Sequence, residues 1–450
     1  MCGAGREVGV GHRALMKAGD AIDERRLLRD WEVLCSEIGE RRAGTDNERR
    51  AAKYVGDQFT AAGLTDVHEE EFPCTSLRRA LPEVHARHGS RWVETPAMTL
   101  VGAPGTPGGR WVEGELVWLE MPENAGRLKP GSLRGRIAVI FGPLPTVESH
   151  HRALVAAAPL AVIHVDDRLP FAWAKSDGVY PQWVRRHGVP VTVTVPYTMA
   201  WAWRRTGVDR ARVQVRIEQV AAVSQNVIGM LPGRDPGLPE ILVSAHHDTQ
   251  CGNPGADDNA SGVVCLLELA RYFAAQPRRR TLRFISFGTE EQLSVGAAAY
   301  VQRHRSAMKR IGLVVNFDSV GSPLGHFELW CVGAPALARH STRALARRGL
   351  DVRLQTEVTP FVDNFPFNQA GVPSWWLYRP NFSGGRWQHH SPHDTMENIS
   401  VPEVARLLRA VAPVVGDLAG RAKWPFPQGL PAGQRTVARR LGRELFGLQR

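Results

Sequence analysis

Residues 240–275 read EILVSAHHDTQCGNPGADDNASGVVCLLELARYFAA, and this stretch holds the pattern that decides the fold. An apolar run of strand length, EILVSA, is followed by a Gly-rich loop with several acids. The loop leads into SGVVCLLELARYFAA, whose apolar residues recur at helical spacing. Similar strand-length runs follow towards residue 420, namely TLRFISFGTEE, IGLVVNFDS and PSWWLY, with helical segments between most of them. This alternation predicts an α/β fold with a mostly parallel (mixed) central sheet flanked by helices.

Upstream of residue 223 the pattern of apolar residues changes twice along the sequence. Residues 22–40 and 45–63 have helical spacing, and Thr45 with Glu48 matches a capping box. Short β-type runs broken by Pro and Gly then continue to residue 222. We therefore predict a first α/β part at 22–90, an inserted β-rich domain at 91–222, a second α/β part at 223–425 and a basic C-terminal tail at 426–450. The insert's tryptophans are expected in its core: Trp173, Trp183, Trp201 and Trp203.

The whole-chain properties restrict the class of protein. A length of 450 residues suits two domains or one domain with a large insert. The six cysteines have no paired spacing, which favours free thiols over a disulfide framework. The formal charge of +11 comes mostly from dispersed arginines, so neither nucleic acid nor a membrane surface is predicted as a partner. No apolar run suits a signal peptide or a membrane span, and a cytoplasmic location is expected. Oligomeric state is left open.

Acids and histidines follow several of the predicted strands. EILVSAHHD ends in His246 and Asp248, TLRFISFGTEE ends in Glu290 and Glu291, and IGLVVNFD ends in Asp318. Because the carboxyl ends of parallel strands meet at one edge of a sheet, these side chains are expected close together. Burying two adjacent acids behind an apolar strand is costly unless a cation is present. The pattern therefore indicates a metal site at this edge.

Two further residues extend the candidate site. Asp258 lies in GADDNASG just before a helical pattern, and His390 lies in the loop RWQHHSPHDT. Singly, each has an ordinary explanation, such as an acid favoured by a helix dipole or a histidine in a solvated loop. Together, imidazoles and carboxylates favour zinc, with cobalt or manganese as alternatives, over calcium or magnesium, which prefer oxygen ligands.

The motifs AHHDT, GADDNASG, GTEEQ, NFDS and HHSPHDT resemble, in order and spacing, those of the two-zinc exopeptidases. That family includes bacterial leucyl aminopeptidases, aminopeptidase Y and glutamate carboxypeptidases. The resemblance covers roughly residues 30–75 and 223–420, and it implies a phosphorylase/hydrolase-like zinc peptidase fold. The insert at 91–222 resembles, more loosely, a protease-associated domain.

The resemblance implies a role for each of the matching residues. His246 and Asp318 complete one zinc shell, Glu291 and His390 complete the other, and Asp258 bridges the two ions. Glu290 matches the general base, which takes a proton from the attacking water and passes it to the leaving amine.

Asp248 and His389 are assigned supporting roles. Asp248 stands two residues after His246 and is expected to hydrogen-bond the imidazole's second nitrogen. His389 occupies the position where many relatives have a tyrosine that stabilises the oxyanion, so this histidine is the candidate for that task. Either His389 or His390 could bind metal, although the sequence after His390 favours the latter. His247 and His393 are expected to have no role in the site.

The predicted function is a zinc-dependent exopeptidase, an aminopeptidase that removes N-terminal residues from peptides using two Zn²⁺ ions and Glu290. An alternative is a carboxypeptidase or amidase acting on small acylated amino acids or dipeptides, for which Arg379 and Arg386 are candidate carboxylate ligands. A rival of another class is a non-catalytic binding protein on the peptidase fold. A single-metal cyclising transferase would use the same scaffold with one occupied zinc site.

Overall fold

The computed structural model describes residues 22–141, 147–166, 177–178, 180–381 and 387–446, and the account below concerns these residues. Its α-helices are α1 Glu24–Glu32, α2 Asp46–Ala61, α3 Glu148–Ala157, α4 Pro181–His187, α5 Tyr197–Thr206, α6 Ser261–Ala274, α7 Val295–Arg303, α8 Pro335–Ala346, α9 Asn364–Gln369, α10 Val401–Gly420 and α11 Ala432–Leu441. Its strands are β1 Thr65–His88, β2 Arg91–Thr95, β3 Met98–Val101, β4 Val112–Trp118, β5 Arg136–Phe141, β6 Ala161–Val165, β7 Asp177–Gly178, β8 Thr192–Val195, β9 Arg210–Leu231, β10 Glu240–His246, β11 Leu282–Phe287, β12 Ile311–Phe317, β13 Glu328–Val332, β14 Arg353–Gln355 and β15 Ser374–Tyr378.

The sheet of the second half is mixed, with a parallel centre. β10 pairs in parallel with both β11 and β12, and β12 pairs in parallel with β15. β9 and β13 are antiparallel to their neighbours β11 and β15. The predicted mostly parallel (mixed) sheet is confirmed. The short strands β13 and β14 were not predicted, because neither has a long apolar run.

Helices cover both faces of this sheet, as continuous apolar strands require. On one face α1, α2 and α10 pack around α6, and these four helices bury Trp31, Phe59 and Phe273. On the other face α7 and α9 cover the strands around Phe287 and Phe367. β10 is buried along its whole length, which explains why its sequence is apolar rather than alternating.

One strand, β9, joins the two halves of the molecule. Near its start it pairs with β4 of the insert, and near its end it pairs with β11. β1 runs antiparallel to most of β9, from Thr65 to Ala86. The predicted boundary between residues 222 and 223 therefore lies within a continuous strand. The limits of the insert as a domain stay a prediction.

The insert has its own core and includes helices. Strands β4, β5, β6, β8 and part of β9 bury a cluster that contains Val139, Ile163 and Trp203. Trp183 and Trp203 are buried as expected, whereas Trp173 lies outside the described residues. The prediction for Trp201 is wrong, because this side chain is 59% exposed on the outer face of α5, where it stacks on Tyr197.

The basic C-terminal tail packs against the rest of the molecule. It contains α11 and a further helical turn, Gly442–Phe446, and it buries Leu430 and Leu445. The indole Nε1 of Trp183 in the insert donates a hydrogen bond to the carbonyl of Glu444, at 3.0 Å. The tail thus contacts the insert as well as the α/β half.

The cysteines that the structure describes are Cys35, Cys74, Cys251, Cys265 and Cys331, and all of them are free thiols. Burial raises the pKa of Cys35 and Cys331 to about 12, so these thiols stay protonated at neutral pH. Among the helices in the described ranges, none has the length and apolarity needed to cross a membrane.

A buried ion cluster ties α1 to α6. The carboxylate of Glu268 has no exposed surface; it accepts hydrogen bonds from Arg26 Nη2 at 2.6 Å and from the backbone N–H of Asp23 at 2.8 Å. Arg271 lies 3.5 Å from the same carboxylate and also pairs with Asp30 at 2.6 Å. Each charge in this cluster therefore has a partner of opposite sign, which offsets its desolvation.

We predict that Glu268→Ala lowers the free energy of unfolding by about 3 kcal/mol, because it leaves Arg26 and Arg271 without their shared carboxylate. A urea titration followed by circular dichroism measures the shift. Lys53→Ala is the control, since it breaks a pair in which both side chains are more than 60% exposed and which contributes roughly 0.5 kcal/mol. Equal shifts for the two variants would contradict a structural role for the cluster.

Candidate metal centre

The ends of three parallel strands deliver side chains to one edge of the sheet. β10 ends at His246, Glu290 and Glu291 follow β11, and Asp318 follows β12 directly. His246 is completely buried, and Glu290 and Asp318 keep less than 10% of their surface. The parallel register of these strands explains why residues far apart in sequence meet here.

A first group of donors surrounds the imidazole of His246. Its Nε2 atom lies 3.3 Å from Asp258 Oδ1, 3.8 Å from Asp318 Oδ1 and 3.9 Å from Glu290 Oε2. One atom each from His246, Asp258 and Asp318 falls within 4.8 Å of the others, a spacing that can hold a metal ion.

A second group lies on the opposite side of Asp258. His390 Nε2 is 3.3 Å from Asp258 Oδ2 and 3.0 Å from Glu291 Oε2. His389 Nδ1 is 2.9 Å from the same Asp258 oxygen. Asp258, His389 and His390 form another cluster with metal-ligand spacing. The two oxygens of Asp258 therefore face different groups, as a bridging carboxylate must.

The electrostatics of both groups fit a bound cation. Burial raises the pKa of Glu290 well above its usual range, and it also raises that of Glu291. Burial alone would lower the pKa of His246, but Asp248, Asp258 and Asp318 hold it well above the ordinary value. Nearby carboxylates likewise raise the pKa of His390 to about 10, against the effect of burial. A cation would supply the positive charge that these buried carboxylates otherwise take from protons.

The chemical types of the donor atoms also suit zinc. Imidazole nitrogens and carboxylate oxygens bind zinc at about 2.0–2.2 Å, so an ion between donors that lie 3.0–3.8 Å apart reaches them with small side-chain movements. The Nε2 atom of His246 is buried and faces the carboxylates of Asp258 and Asp318, so it can bind an ion held between them.

Asp248 makes hydrogen bonds in addition to the contact with His246 that the sequence predicted. Its Oδ1 atom is 3.4 Å from His246 Nδ1, the expected neighbour. The same carboxylate accepts the backbone N–H groups of Glu290 at 2.9 Å and of Glu291 at 3.2 Å. Asp248 lies in the loop after β10, so it fixes the turn that carries both glutamates.

Two residues that the sequence analysis missed hold the loop of Asp258. The carboxylate of Asp394 accepts the backbone N–H of Asp257 at 2.7 Å and that of Asp258 at 2.9 Å. It is fully buried, and burial raises its pKa well above the usual value. The motif SPHDT contains this residue, but its sequence gives no sign that the partners lie more than 130 positions away.

Arg41 is the second missed residue. Its guanidinium has no exposed surface and donates hydrogen bonds to backbone carbonyls on both sides of the site. The acceptors include His247 O at 2.8 Å, Pro254 O at 2.8 Å and Gly255 O at 3.0 Å. Gly255 has φ +64°, and a Cβ there would lie 2.4 Å from the carbonyl of Asp258, so the loop requires glycine.

Two buried acids near the site were also missed. Asp363 has no exposed surface, and burial raises its pKa well above the usual range. Glu48 accepts hydrogen bonds from Ser224 and from Gly44 N, and burial raises its pKa to about 8. The predicted capping box is thus only half formed, because Thr45 caps Glu48 N while the Glu48 carboxylate turns to Gly44.

Other candidates lie away from the two groups. His247 points to the opposite side of β10, where its Nδ1 is 2.9 Å from Ser286 Oγ. Arg379 is buried; it donates to Ser322 O, pairs with Glu403 at 3.1 Å and stacks on Phe327. Because its guanidinium already has these partners within the protein, Arg379 is not a ligand for a substrate carboxylate. Arg386 lies outside the described residues, and His393 is exposed.

Comparison with known proteins finds a matching family model, curated relatives and similar solved structures. The model of the family described as Peptidase family M28 matches residues 226–415. The chain is 31% identical over 217 residues to the protein named Aminopeptidase YwaD of Bacillus subtilis, which covers 45% of this chain and 46% of the relative. It is 28% identical over 228 residues to Leupeptin-inactivating enzyme 1 of Streptomyces exfoliatus, with coverages of 46% and 51%. These matches span about half the length of both relatives.

Longer matches are more distant in sequence. The chain is 24% identical over 417 residues to Carboxypeptidase Q of Rattus norvegicus, covering 86% of this chain and 84% of that protein. Among solved structures, it is similar to a zinc aminopeptidase from Bacillus subtilis, with a TM-score of 0.71, 22% identity and coverages of 90% and 98%. A Peptidase M28 precursor from Shewanella amazonensis gives a TM-score of 0.76 at 18% identity, with coverages of 91% and 98%. At these identities the structures support the fold.

We predict that Asp394→Asn weakens metal binding about 10- to 100-fold without removing a ligand. The amide nitrogen cannot accept from a backbone N–H, so the orientation of Asp258 is lost. Competition between the protein and a chromophoric chelator measures the affinity. Asp351→Asn, at an exposed position, is the control. Unchanged affinity in the Asp394 variant would contradict its positioning role.

Proposed function

We propose that this chain is a zinc-dependent aminopeptidase that hydrolyses the N-terminal residue from peptides, because residues 226–415 match the model of peptidase family M28. The observation that carries the proposal is the pair of donor groups that share the Asp258 carboxylate. Two of the relatives named above support a peptide substrate, because their names describe an aminopeptidase and an enzyme that inactivates leupeptin.

The ligands are assigned by their positions in the two groups. His246 and Asp318 hold one Zn²⁺ ion, Glu291 and His390 hold the other, and Asp258 contributes one oxygen to each. The stoichiometry of two ions is part of the proposal, and cobalt or manganese could replace zinc with the same donors. When bound, the ions supply Lewis acidity that polarises the scissile carbonyl and lowers the pKa of water at the site.

Glu290 is the proposed general base. Its Oε2 atom lies 3.9 Å from His246 Nε2, at the edge of the first group. Ser294 Oγ donates to its Oε1 at 3.3 Å, and Asp248 holds its backbone N–H. From there Glu290 takes one proton from the attacking water and returns it to the nitrogen of the leaving amine, so the peptide bond and one water become a carboxylate and an amine.

His389 is proposed to donate a hydrogen bond to the oxyanion of the tetrahedral intermediate. Its side chain is 25% exposed, so a substrate can reach it, and its Nδ1 is within 2.9 Å of Asp258. An imidazole that faces the shared carboxylate is well placed to meet charge that develops on the carbonyl oxygen. Asp248 supports the site by fixing the turn of Glu290 and Glu291.

The charge of the site favours an amino-terminal over a carboxy-terminal substrate. Five carboxylates, those of Asp248, Asp258, Glu290, Glu291 and Asp318, face the two groups, whereas two zinc ions bring four positive charges. The balance stays negative and attracts an ammonium group. Arg379, the described arginine considered for a substrate carboxylate, is already paired. Carboxypeptidase Q nevertheless makes a carboxypeptidase or amidase the second candidate.

The substrate test uses dipeptides and tripeptides with free or acetylated amino ends and with free or amidated carboxyl ends. We expect the zinc-loaded chain to cleave those with a free amino end, whatever the state of the carboxyl end, and to lose activity when zinc is chelated. Glu290→Gln is expected to lower kcat by at least about 100-fold, because the base is lost.

Metal content is the internal control for that loss, since Glu290 is no ligand in the proposal. The Glu290→Gln protein is expected to hold as much zinc as the wild type. Glu69→Gln, on an exposed part of β1, is the matched control for the substitution itself. Cleavage only of peptides with a free carboxyl end would contradict an aminopeptidase and support a carboxypeptidase. If no peptide is cleaved while zinc is bound, the result would favour a non-catalytic binding protein.

We predict that Asp258→Ala lowers the occupancy of both zinc sites, because each ion loses a ligand. Asp318→Ala and Glu291→Ala are each expected to affect one site only. Elemental analysis after dialysis gives the zinc content per chain, with two ions expected in the wild type. Loss of a single ion in the Asp258 variant, or one ion in the wild type, would contradict the shared-carboxylate assignment.

A further inference from the structure

Glu48 is a buried acid that has no part in the mechanism given above. It stands in the first turn of α2, and only 1% of its surface is exposed. The glutamate of a capping box ordinarily turns back to the backbone N–H of the N-cap residue, which is Thr45 here. Glu48 instead accepts from Gly44 N at 2.6 Å through its Oε2 atom. Its second oxygen, Oε1, is turned towards the interior.

The Oε1 atom of Glu48 lies between β9 and the turn that carries the proposed general base. Ser224 Oγ of β9 donates to it at 2.7 Å, and Oγ1 of Thr289, the residue before Glu290, lies 3.5 Å from it. The backbone is also close, because a Cβ on Gly288 would lie 3.0 Å from this oxygen and would overlap Ser224 Oγ. The turn therefore packs directly against the carboxyl group of Glu48.

Thr289 needs support of this kind because its backbone is in the left-handed region. Its φ is +56°, which a β-branched residue rarely adopts. Such a conformation costs about 1–3 kcal/mol and persists only where the surrounding structure holds it. Asp248 holds the backbone N–H of Glu290, and Glu48 contacts the residue before it. Loss of the Glu48 contact would let the turn relax, and the carboxylate of Glu290 would move with it.

The carboxyl group of Glu48 is suited to this position in its neutral form. Burial, and after it the charge of Asp248, raise the pKa of Glu48 to about 8, although the hydrogen bonds that it accepts lower it. The group is then mostly protonated at neutral pH and adds little negative charge beside the buried carboxylates of the metal centre. A glutamine side chain is neutral and has nearly the same shape, so it can make the same contacts, whereas alanine cannot.

We propose that Glu48 is a positioning residue that fixes the orientation of the general base Glu290 by holding Thr289 in the turn before it. The proposal rests on the proposed function, since Glu290 acts as the base in that reaction. It gives the first α/β part, which contributes none of the proposed metal ligands, a direct effect on the rate of hydrolysis.

The test compares Glu48→Ala and Glu48→Gln in the zinc-loaded protein. Glu48→Ala is expected to lower kcat about 10- to 100-fold, with KM and zinc content unchanged, because the ligands and the substrate contacts stay in place. Glu48→Gln is expected to keep most of the activity. Asp46→Ala is the matched control, because Asp46 is an exposed acid in the same helical turn. Loss of zinc in parallel with kcat would show general damage to the site and would overturn the proposal.

Thr289→Val tests the same contact without opening a cavity, because it removes the hydroxyl group and keeps the shape of the side chain. If Glu48 acts through Thr289, the two substitutions together lower kcat by less than the product of their separate effects. Wild-type kcat in Thr289→Val, or in a folded Glu48→Ala protein, would overturn the proposal. Independent effects of the two substitutions would also overturn it.

Hydrogen–deuterium exchange of the backbone N–H groups of residues 288–292 gives a readout that does not depend on hydrolysis. Exchange is expected to be faster in Glu48→Ala than in the wild type and unchanged in Asp46→Ala. If the wild type hydrolyses no peptide but Glu48→Ala still accelerates this exchange, the proposed function fails while the holding of the turn by Glu48 stands. Unchanged exchange and kcat in an active protein would overturn the role of Glu48 alone.

Discussion

The Asp258 carboxylate is the constraint on which the rest of the structure depends. One of its oxygens faces His246 and the other faces His389 and His390, so its plane must be fixed to within a small angle. Asp394 secures the backbone on which it stands, and Arg41 secures the loop that precedes it. Since several acids are buried around it, the desolvation cost is offset only if positive charge arrives at the same place.

Much of the fold and of the site could be predicted from sequence because both follow from short-range patterns. Continuous apolar runs such as EILVSA identify the buried parallel strands, and acids at their carboxyl ends must gather at one edge. Glu290, Glu291 and Asp318 could be placed by that argument alone. Asp258 and His390 lie in loops, where periodicity carries no information, and their place in the site came from resemblance to a family.

The features that could not be predicted depend on contacts between distant parts of the chain. Arg41 and Arg42 are adjacent and identical in the sequence, yet one is entirely buried under the metal centre and the other lines a pocket. Asp394 looks like an ordinary loop acid until its two backbone partners are known. Trp201 and Trp203 have similar neighbours in the sequence. The packing of α5 exposes the first and buries the second.

Because β9 is one continuous strand, the protein cannot be divided into fragments at residue 222 without breaking its sheet. A fragment ending at residue 222 would cut this strand between its pairing with β4 and its pairing with β11. Each piece would then present a row of unsatisfied backbone N–H and C=O groups, the kind of edge that recruits other chains. The insert thus shares a continuous strand with the α/β half, and its exchange between proteins would require grafting both β1 and β9.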